Sequence, residues 1–480
     1  MYEEGKMSRQ GHGAGSRFWR GLVVVIIGFI IWFSPVPAGV KQEAWHLLAI
    51  FVATIVGLIL TPLPMGAVVI MGVMMAGFTD TVKIGAMLSG FANGTVWLIA
   101  VAFLIARGFI KTGLGTRISY YFIRSFGRRT LGLSYAIAVS DLIIAPATPS
   151  NTARAGGVIY PILRSLSATF GSEPGDTARK IGAFLIKTEF QVVILTSAMF
   201  MTAMAPNVLM VELAKKTANV SLSWGMWTLA ASVPAILCLI IIPYLLYKIF
   251  PPEIKSTPEA SEMAHRELGK MGPMKQTEKI MLFVFLLILA LWATSEFTKL
   301  DATVVAFTGL AIMLLTGVIG WEDVLSEKGA WDAFIWFGGL VMMASQLDQL
   351  GFMKWFANNV GGRLVGVPWL PALIILMLVY IYSHYGFASG TAHVTAMFPA
   401  FLTLAVAAKA PPYLATLALA YCCAIFSGIT HYASGPAPIY FNSGYVDQKT
   451  WWKLGLICSF VNIAIFIGVG FPWWKVLGLW

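Results

Sequence analysis

The stretch Thr148-Pro149-Ser150-Asn151-Thr152-Ala153-Arg154 is a run of small hydroxyl, amide and charged residues between two apolar half-segments. Upstream, 131–147 is apolar apart from a few polar residues such as Asp141; downstream, 155–166 is apolar again. Neither flank reaches the roughly 20 apolar residues of a full membrane crossing. The pattern predicts a re-entrant hairpin, in which two half-helices dip into a bilayer and turn around a polar tip. Such a tip is tolerated only where protein or a wet cavity surrounds it. The second half-helix starts near 150–152, so its free N–H groups and positive dipole end favour an anion.

A near copy lies in the second half of the chain, Ala388-Ser389-Gly390-Thr391-Ala392-His393. Both copies read Ser-x-Thr-Ala-cation. They run on as Val158-Ile159-Tyr160-Pro161 and Ala396-Met397-Phe398-Pro399, one residue out of step. Short matches arise by chance. Two that both fall on polar tips between apolar flanks point to a duplicated element.

Of 480 residues, 58% are hydrophobic and 11% charged, and mean hydropathy is +0.77. A soluble domain carries about 25% charged residues, so the expected fold is an all-α polytopic membrane protein. The net charge of +11 reads as Lys and Arg in cytoplasmic loops under the positive-inside rule, not as a nucleic-acid surface. Cys238, Cys422, Cys423 and Cys458 sit in apolar segments without Cys-x-x-Cys spacing and read as small core residues. No pattern calls for a cofactor or a bound metal.

In order, 1–17 is a polar, basic cytoplasmic tail. Its Gly11-His12-Gly13-Ala14-Gly15 precedes a membrane segment rather than following a strand, so it is no dinucleotide loop. The first repeat is 18–250. It holds an uncleaved start helix at 18–33, apolar segments at 44–60, 65–78 and 96–110, and an interfacial helix at 111–130 with Tyr120, Tyr121 and Phe122 on the membrane. The hairpin follows at about 131–168. A crossing at 181–205 is then interrupted at Ala205-Pro206-Asn207, and 224–250 closes the repeat. Residues 251–279 are a hydrophilic cytoplasmic linker. The second repeat, 280–480, has crossings near 280–294, 302–319 and 333–350, a hairpin at about 368–408, and a segment at 413–429. A break follows at Tyr432-Ala433-Ser434-Gly435-Pro436-Ala437-Pro438, and the last crossing is 454–471.

Lys6, Arg9, Arg17 and Arg20 place the N-terminus in the cytoplasm. The approach to the first hairpin carries Arg107, Lys111, Arg117, Arg124, Arg128 and Arg129; that to the second carries only Lys354 and Arg363. This asymmetry predicts an inverted repeat, with the first hairpin entering from the cytoplasm and the second from outside. Lys215 and Lys216, on an expected outside loop, run against the pattern.

Two tips and two broken helices in corresponding places indicate a secondary transporter with a midplane site. The tips offer Ser150, Asn151, Thr152, Ser389, Gly390 and Thr391. The breaks offer half-helix N-termini at Pro206, Asn207, Ser434 and Pro436, proline suiting the first helical turn. Four converging N-termini would hold a doubly charged anion without a lysine cluster. Asp141, Lys187 and Glu189 are intramembrane ionisable groups and therefore functional candidates; the other reading of Lys187 and Glu189 is snorkelling from a cytoplasmic helix end.

From Phe18 to Trp480 the chain resembles the divalent anion/sodium symporter family. The resemblance is carried by Pro149-Ser150-Asn151-Thr152-Ala153-Arg154, Ser389-Gly390-Thr391-Ala392-His393, Ala205-Pro206-Asn207 and Gly435-Pro436. It is similar above all to the branch of bacterial citrate/succinate and tartrate/succinate antiporters and plastid 2-oxoglutarate/malate translocators. The resemblance implies about eleven transmembrane helices plus two hairpins, a homodimer with scaffold and elevator-type transport domains, and small di- or tricarboxylate anions held at the two tips. The location it suggests is the bacterial inner membrane.

The chain departs from the symporter pattern. Gly390 stands where symporters place Asn, and Arg154 and His393 follow the two motifs. A guanidinium carries permanent charge and an imidazole carries it at lower pH. Both are thus candidates to replace the sodium ions that compensate substrate charge, which would make an exchanger. The alternative reading pairs Arg154 with Asp141 or with lipid headgroups and bonds His393 to a neighbouring carbonyl. In a sodium-coupled symporter, Ser150, Asn151 and Gly390 would border the metal. More remote readings are an intramembrane enzyme using Ser389 with His384, His393 or His431, and an anion channel.

Overall fold

Inside a bilayer every backbone polar group must find a partner within its own segment or its protein neighbours. The chain meets this with helices, which take up 79% of it, and the described residues contain no strand. The structure is a computed structural model that describes residues 14–361 and 368–480. Lys6, Arg9 and Arg363, used above for orientation, lie outside that range. Nine of the described helices are long and apolar enough to cross a membrane, and three shorter apolar ones accompany them. Large apolar side chains such as Phe29, Phe78, Leu286 and Leu315 are exposed on the flanks. That is a liability in water and suits lipid.

The first half contains α1 (Ala14–Trp32), α2 (Gln42–Leu60), α3 (Met65–Phe78), α4 (Gly94–Thr112) and α5 (Leu114–Phe126). The first hairpin descends through α6 (Thr130–Ile144) and a 3₁₀ turn, Ala145–Ala147. It leaves the tip through α7 (Asn151–Arg154), a π turn (Ala155–Ile159) and α8 (Tyr160–Thr169). The broken helix is α9 (Gly182–Met199), a turn at Met201–Ala203, then α10 (Ala205–Ala218); α11 (Trp224–Ile249) follows. In the second half, α13 (Gln276–Ala293), α14 (Ala302–Leu315), α15 (Lys328–Gln349) and α16 (Phe352–Gly361) precede the second hairpin. That hairpin is α17 (Trp369–Tyr382), a turn Ser383–Gly386 and α18 (Gly390–Ala407). The second broken helix is α19 (Pro412–Phe426) with α20 (Pro436–Phe441), and α21 (Gln448–Ile465) ends the bundle, running on through a π turn into α22 (Phe471–Val476).

The order helix–tip–helix–broken helix thus occurs twice. At its centre lies α9, every residue of which is buried, against a third of α13. Both legs of the first hairpin, α6 and α8, pack on α9, as do α11 and α19. The last crossing starts earlier than expected because Asp447 caps α21, accepting the Thr450 N–H at 3.0 Å.

The hydrophilic linker is ordered rather than loose. Pro258–Met271 forms helix α12, whose Ala260, Met263, Ala264 and Leu268 make one apolar stripe. That stripe covers α5, the expected interfacial helix. The join is fixed by a buried fork. Arg117 on α5 donates to both carboxylate oxygens of Glu278, at 2.9 and 3.1 Å, and to the Gly272 carbonyl at 2.8 Å. Glu278 also accepts the Lys275 N–H at 2.8 Å, closing the start of α13.

Breaking a buried pair strands its partner at a cost of about 3–5 kcal/mol. Glu278→Ala should therefore lower the melting temperature of the purified protein clearly. The double variant Arg117→Met/Glu278→Met should melt above Glu278→Ala alone, since no charge is left unpaired. Unchanged melting in Glu278→Ala would show that the fork does not hold the linker.

Candidate functional site

Each tip begins a helix in the same way. Ser150 lies in extended backbone and its Oγ accepts the Ala153 N–H at 3.1 Å; Ser389 does the same for Ala392 at 3.3 Å. Both serines are N-caps, so each meets one of the orphan donors that a helix start leaves. The side chains of Asn151, Thr152 and Thr391 are half-buried and make no hydrogen bond to the described residues. Gly390 has only ordinary van der Waals neighbours where a Cβ would stand, Phe426 and Ser427 at 3.8 Å.

Arg154 does not stand free as a charge at the tip. It is fully buried, and its Nε donates to Asp141 Oδ1 at 2.7 Å. Nη1 donates to the Thr148 and Ala203 carbonyls, both at 3.2 Å. Nη2 reaches the Val193 carbonyl, Thr196 Oγ1 and Ser197 Oγ at 2.9–3.3 Å. The second Asp141 oxygen accepts from the Thr196 hydroxyl. All five guanidinium donors are committed, and the charge is met in place by Asp141. The direct charge-compensating role expected of Arg154 is thus corrected to one of fastening: it ties the first tip to α9 and to the first break through Ala203.

His393 is equally enclosed. Its Nδ1 lies 3.0 Å from His384 Nδ1, and its Nε2 lies 3.1 Å from both Ser383 Oγ and Met397 Sδ. His384 Nε2 lies 2.7 Å from the Ala433 carbonyl. A carbonyl only accepts, so His384 carries its hydrogen on Nε2 and presents a bare Nδ1; His393 must then donate from Nδ1. The second tip is therefore fastened to the second break through two rings, as the first tip is fastened to the first break through one arginine.

The breaks are held by their own side chains. Asn207 Nδ2 donates to the Ser197 and Phe200 carbonyls at 2.7 and 3.0 Å, and Ser434 Oγ donates to the Ser427 carbonyl at 3.1 Å. Both were expected to face substrate; in the structure their donors meet carbonyls at the breaks, the Phe200 carbonyl also accepting the Ala203 N–H, while Asn207 Oδ1 has no partner among the described residues. Pro206 and Pro436 occupy the first turns of α10 and α20, as their missing N–H allows. The helix after the second break, α20, is short, so this half of the site rests on the loop more than on a helix end. Lys187 does not snorkel: it is fully buried, its Nζ 4.2 Å from the Trp451 ring centre and 4.9 Å from that of Phe190. Glu189 is likewise buried.

The four elements meet. Thr202 in the first break donates to the Pro146 carbonyl of the first tip at 2.8 Å. Gly435 in the second break lies so close to Thr152 that a Cβ there would collide with the threonine hydroxyl. Gln191 on α9 donates to the Gly428 carbonyl at 3.0 Å, and α10 runs along α18. Thr202 and Gln191, which no sequence motif singled out, and Gly435 and His384, expected in other roles, are brought to the same place. Thr202 and Gly435 lie beside an already suspected break; Gln191 is a polar residue within an apolar helix and His384 a polar residue beside the second tip.

The chain matches the family described as sodium:sulfate symporter transmembrane region over residues 15–480. It is 54% identical to the putative malate transporter YflS of Bacillus subtilis (strain 168), over 96% of both chains. It is 46% identical to dicarboxylate transporter 1, chloroplastic, of Spinacia oleracea, over 96% of this chain and 83% of that one. Among solved structures, the YdaH transporter of Alcanivorax borkumensis superposes with a TM-score of 0.56 at 12% identity, covering 97% of this chain and 98% of the other, a likeness of fold. The matched family and relatives are transporters, which excludes the intramembrane-enzyme reading. Two fastened tips on two broken helices, together with a match along nearly the whole chain, make this protein a membrane transporter of the divalent anion/sodium symporter family.

Proposed function

We propose that the protein exchanges small di- or tricarboxylates across the bacterial inner membrane, without sodium, by elevator-type movement of the hairpin-bearing part. The observation that carries this is that Asn151, Thr152 and Thr391 keep half-buried, unbonded side chains at the two helix starts, while the capping serines, Arg154 and the histidine pair are bonded to protein. Amide N–H, hydroxyls and helix N-termini suit carboxylate oxygens. The putative malate transporter and the chloroplast dicarboxylate transporters among its relatives support the same substrate class.

Exchange follows from what the empty site would suffer. The Arg154–Asp141 pair is neutral overall, so it neither demands nor replaces a counter-ion on each crossing. The helix starts and the unbonded tip side chains are different. When they leave water without a carboxylate, each unmet polar group costs on the order of 1–3 kcal/mol. Return is then fast only when loaded. Sodium is unnecessary because the tie between tip and break is a side chain, which cannot leave. The moving part comprises α6–α11 and α17–α21. The remaining crossings form a scaffold, which also carries the contact between two copies in a homodimer. Glu212 on α10 bonds Asn93 and Thr95 beside α4, at 3.1 and 3.2 Å; a sliding movement exchanges these bonds for water. The N-terminus lies in the cytoplasm.

In proteoliposomes without sodium, vesicles preloaded with succinate should take up labelled succinate much faster than empty ones. Strong uptake into empty vesicles under an inward sodium gradient would instead make the protein a symporter. A lost hydrogen bond to a charged group is worth about 1.5–3 kcal/mol. Asn151→Ala and Thr391→Ala should thus each slow exchange on the order of 10-fold or more without altering melting; wild-type rates in both would remove the site. Gly435→Ala should abolish exchange by pushing Thr152 aside, whereas Gly386→Ala, with open space around it, should leave exchange unchanged. Equal rates in the two glycine variants would place Thr152 outside the site.

A further inference from the structure

We propose that His384 and His393 together form a binding site for a single proton, filled when a dicarboxylate binds at the second tip. The inference rests on the exchanger reading and adds a second ligand to it.

The geometry accommodates one proton without rearrangement. With the hydrogens assigned above, the neutral pair leaves one vacant ring nitrogen, His393 Nε2. Ser383 Oγ lies 3.1 Å from it and 3.0 Å from the Tyr380 carbonyl. When the pair is neutral, the hydroxyl donates to Nε2. When Nε2 gains a proton, that N–H donates to the hydroxyl oxygen, and the hydroxyl turns its own hydrogen to Tyr380. The Nδ1–Nδ1 bond and the His384–Ala433 bond persist in both states. A second proton has no such place: it would put hydrogens on both Nδ1 atoms, which are 3.0 Å apart, and would undo the fastening. The capacity of the pair is therefore one.

What decides the occupancy is the charge nearby. Both rings are fully buried, among Tyr380, Phe387 and Phe426. The other titratable groups around them include no carboxylate, lysine or arginine: they are Tyr382 and Tyr385 from the same hairpin, Cys422 and Cys423 on α19, and Tyr432 and His431 in the break. Charges on the remaining helices against α18 are Glu212, Lys215 and Lys216 on α10, Lys354 on α16, and Glu43 on α2 beside His46; none bonds to either ring. A lone cation in this setting is costly, so the pair is neutral when the site is empty. His393 N donates to the Ser389 carbonyl at 3.1 Å, which puts the ring within one helical turn of the cap. A dianion held there supplies the missing counter-charge and raises the proton affinity of the pair. By linkage, substrate binding takes up a proton, and affinity rises as pH falls toward the bound-state value. The proton then reduces the charge that crosses with the substrate.

The test is calorimetric titration of succinate into the purified full-length protein near neutral pH, where the dicarboxylate itself is ionised. Phosphate and Tris buffers, with different ionisation heats, report proton uptake through the difference in apparent binding heat. Wild type should take up a substantial fraction of one proton per succinate. His393→Asn and His384→Asn should bind more weakly and take up none. Equal heats in the two buffers for wild type would overturn the proposal, as would uptake that survives in both histidine variants. No succinate binding at all in wild type would fail the carboxylate reading itself, and this inference with it; binding without uptake fails the inference alone.

Discussion

An arginine buried with its carboxylate at the turn of a hairpin is the constraint on which the site depends. A re-entrant tip has too few residues to satisfy its own backbone, and the helix interrupted beside it leaves further carbonyls without donors. Arg154 answers both shortages at once, because a planar guanidinium offers five donors in fixed directions. It takes one carbonyl from the tip, one from the break and one from the intact part of α9. Asp141 holds the charge, and Thr196 and Ser197 fill the remaining positions. The tip and the break therefore behave as one rigid body, which positions Asn151 and Thr152.

The second half solves the same problem with weaker chemistry. His384 and His393 reach a carbonyl of the break through a chain of two neutral rings. This fastening has fewer bonds and no counter-ion, and its rings pack against Phe426 and Tyr380. The two ends of the site are thus alike in architecture and unlike in charge: a compensated ion pair at one, a titratable pair at the other.

The elements that hold the fold were legible because they follow from long patterns. Apolar runs, the duplicated Ser-x-Thr-Ala motif and the two proline breaks locate both hairpins and both interrupted helices. Of the two alternative partners that the sequence offered to Arg154, Asp141 and lipid headgroups, the structure has Asp141. What could not be read was the use of each polar atom. Asn207, Ser434 and the two serines sit where substrate ligands would sit, yet Asn207 and Ser434 donate to carbonyls at the breaks and the serines accept N–H groups of the helix starts at the tips. A sequence names donors and acceptors; which of them remain over after the backbone is satisfied depends on distances between segments far apart in the chain. The linker helix was missed for a plainer reason: its apolar stripe is short and matters only because α5 lies beneath it.

On the proposed reading, that residue of unused groups is what meets the ligand. Once caps, breaks, arginine and histidines are counted, the unbonded polar side chains at the tips are those of Asn151, Thr152 and Thr391, beside the N–H groups of two helix starts. All can donate, and none carries charge. Such a set recognises a carboxylate by hydrogen bonding and dipole, at a cost that rises with the charge left unbalanced. A fixed cation in contact with substrate would bind it tightly and release it slowly, which does not suit a carrier. Pairing Arg154 internally, with the proposed proton site beside the second tip, would keep the contact surface neutral while letting the charge of the loaded complex adjust. The asymmetry between the two fastenings then has a physical use. The first secures the geometry through an internal ion pair, and on the proposed reading the second lets the solvent supply a positive charge only while an anion is present to hold it.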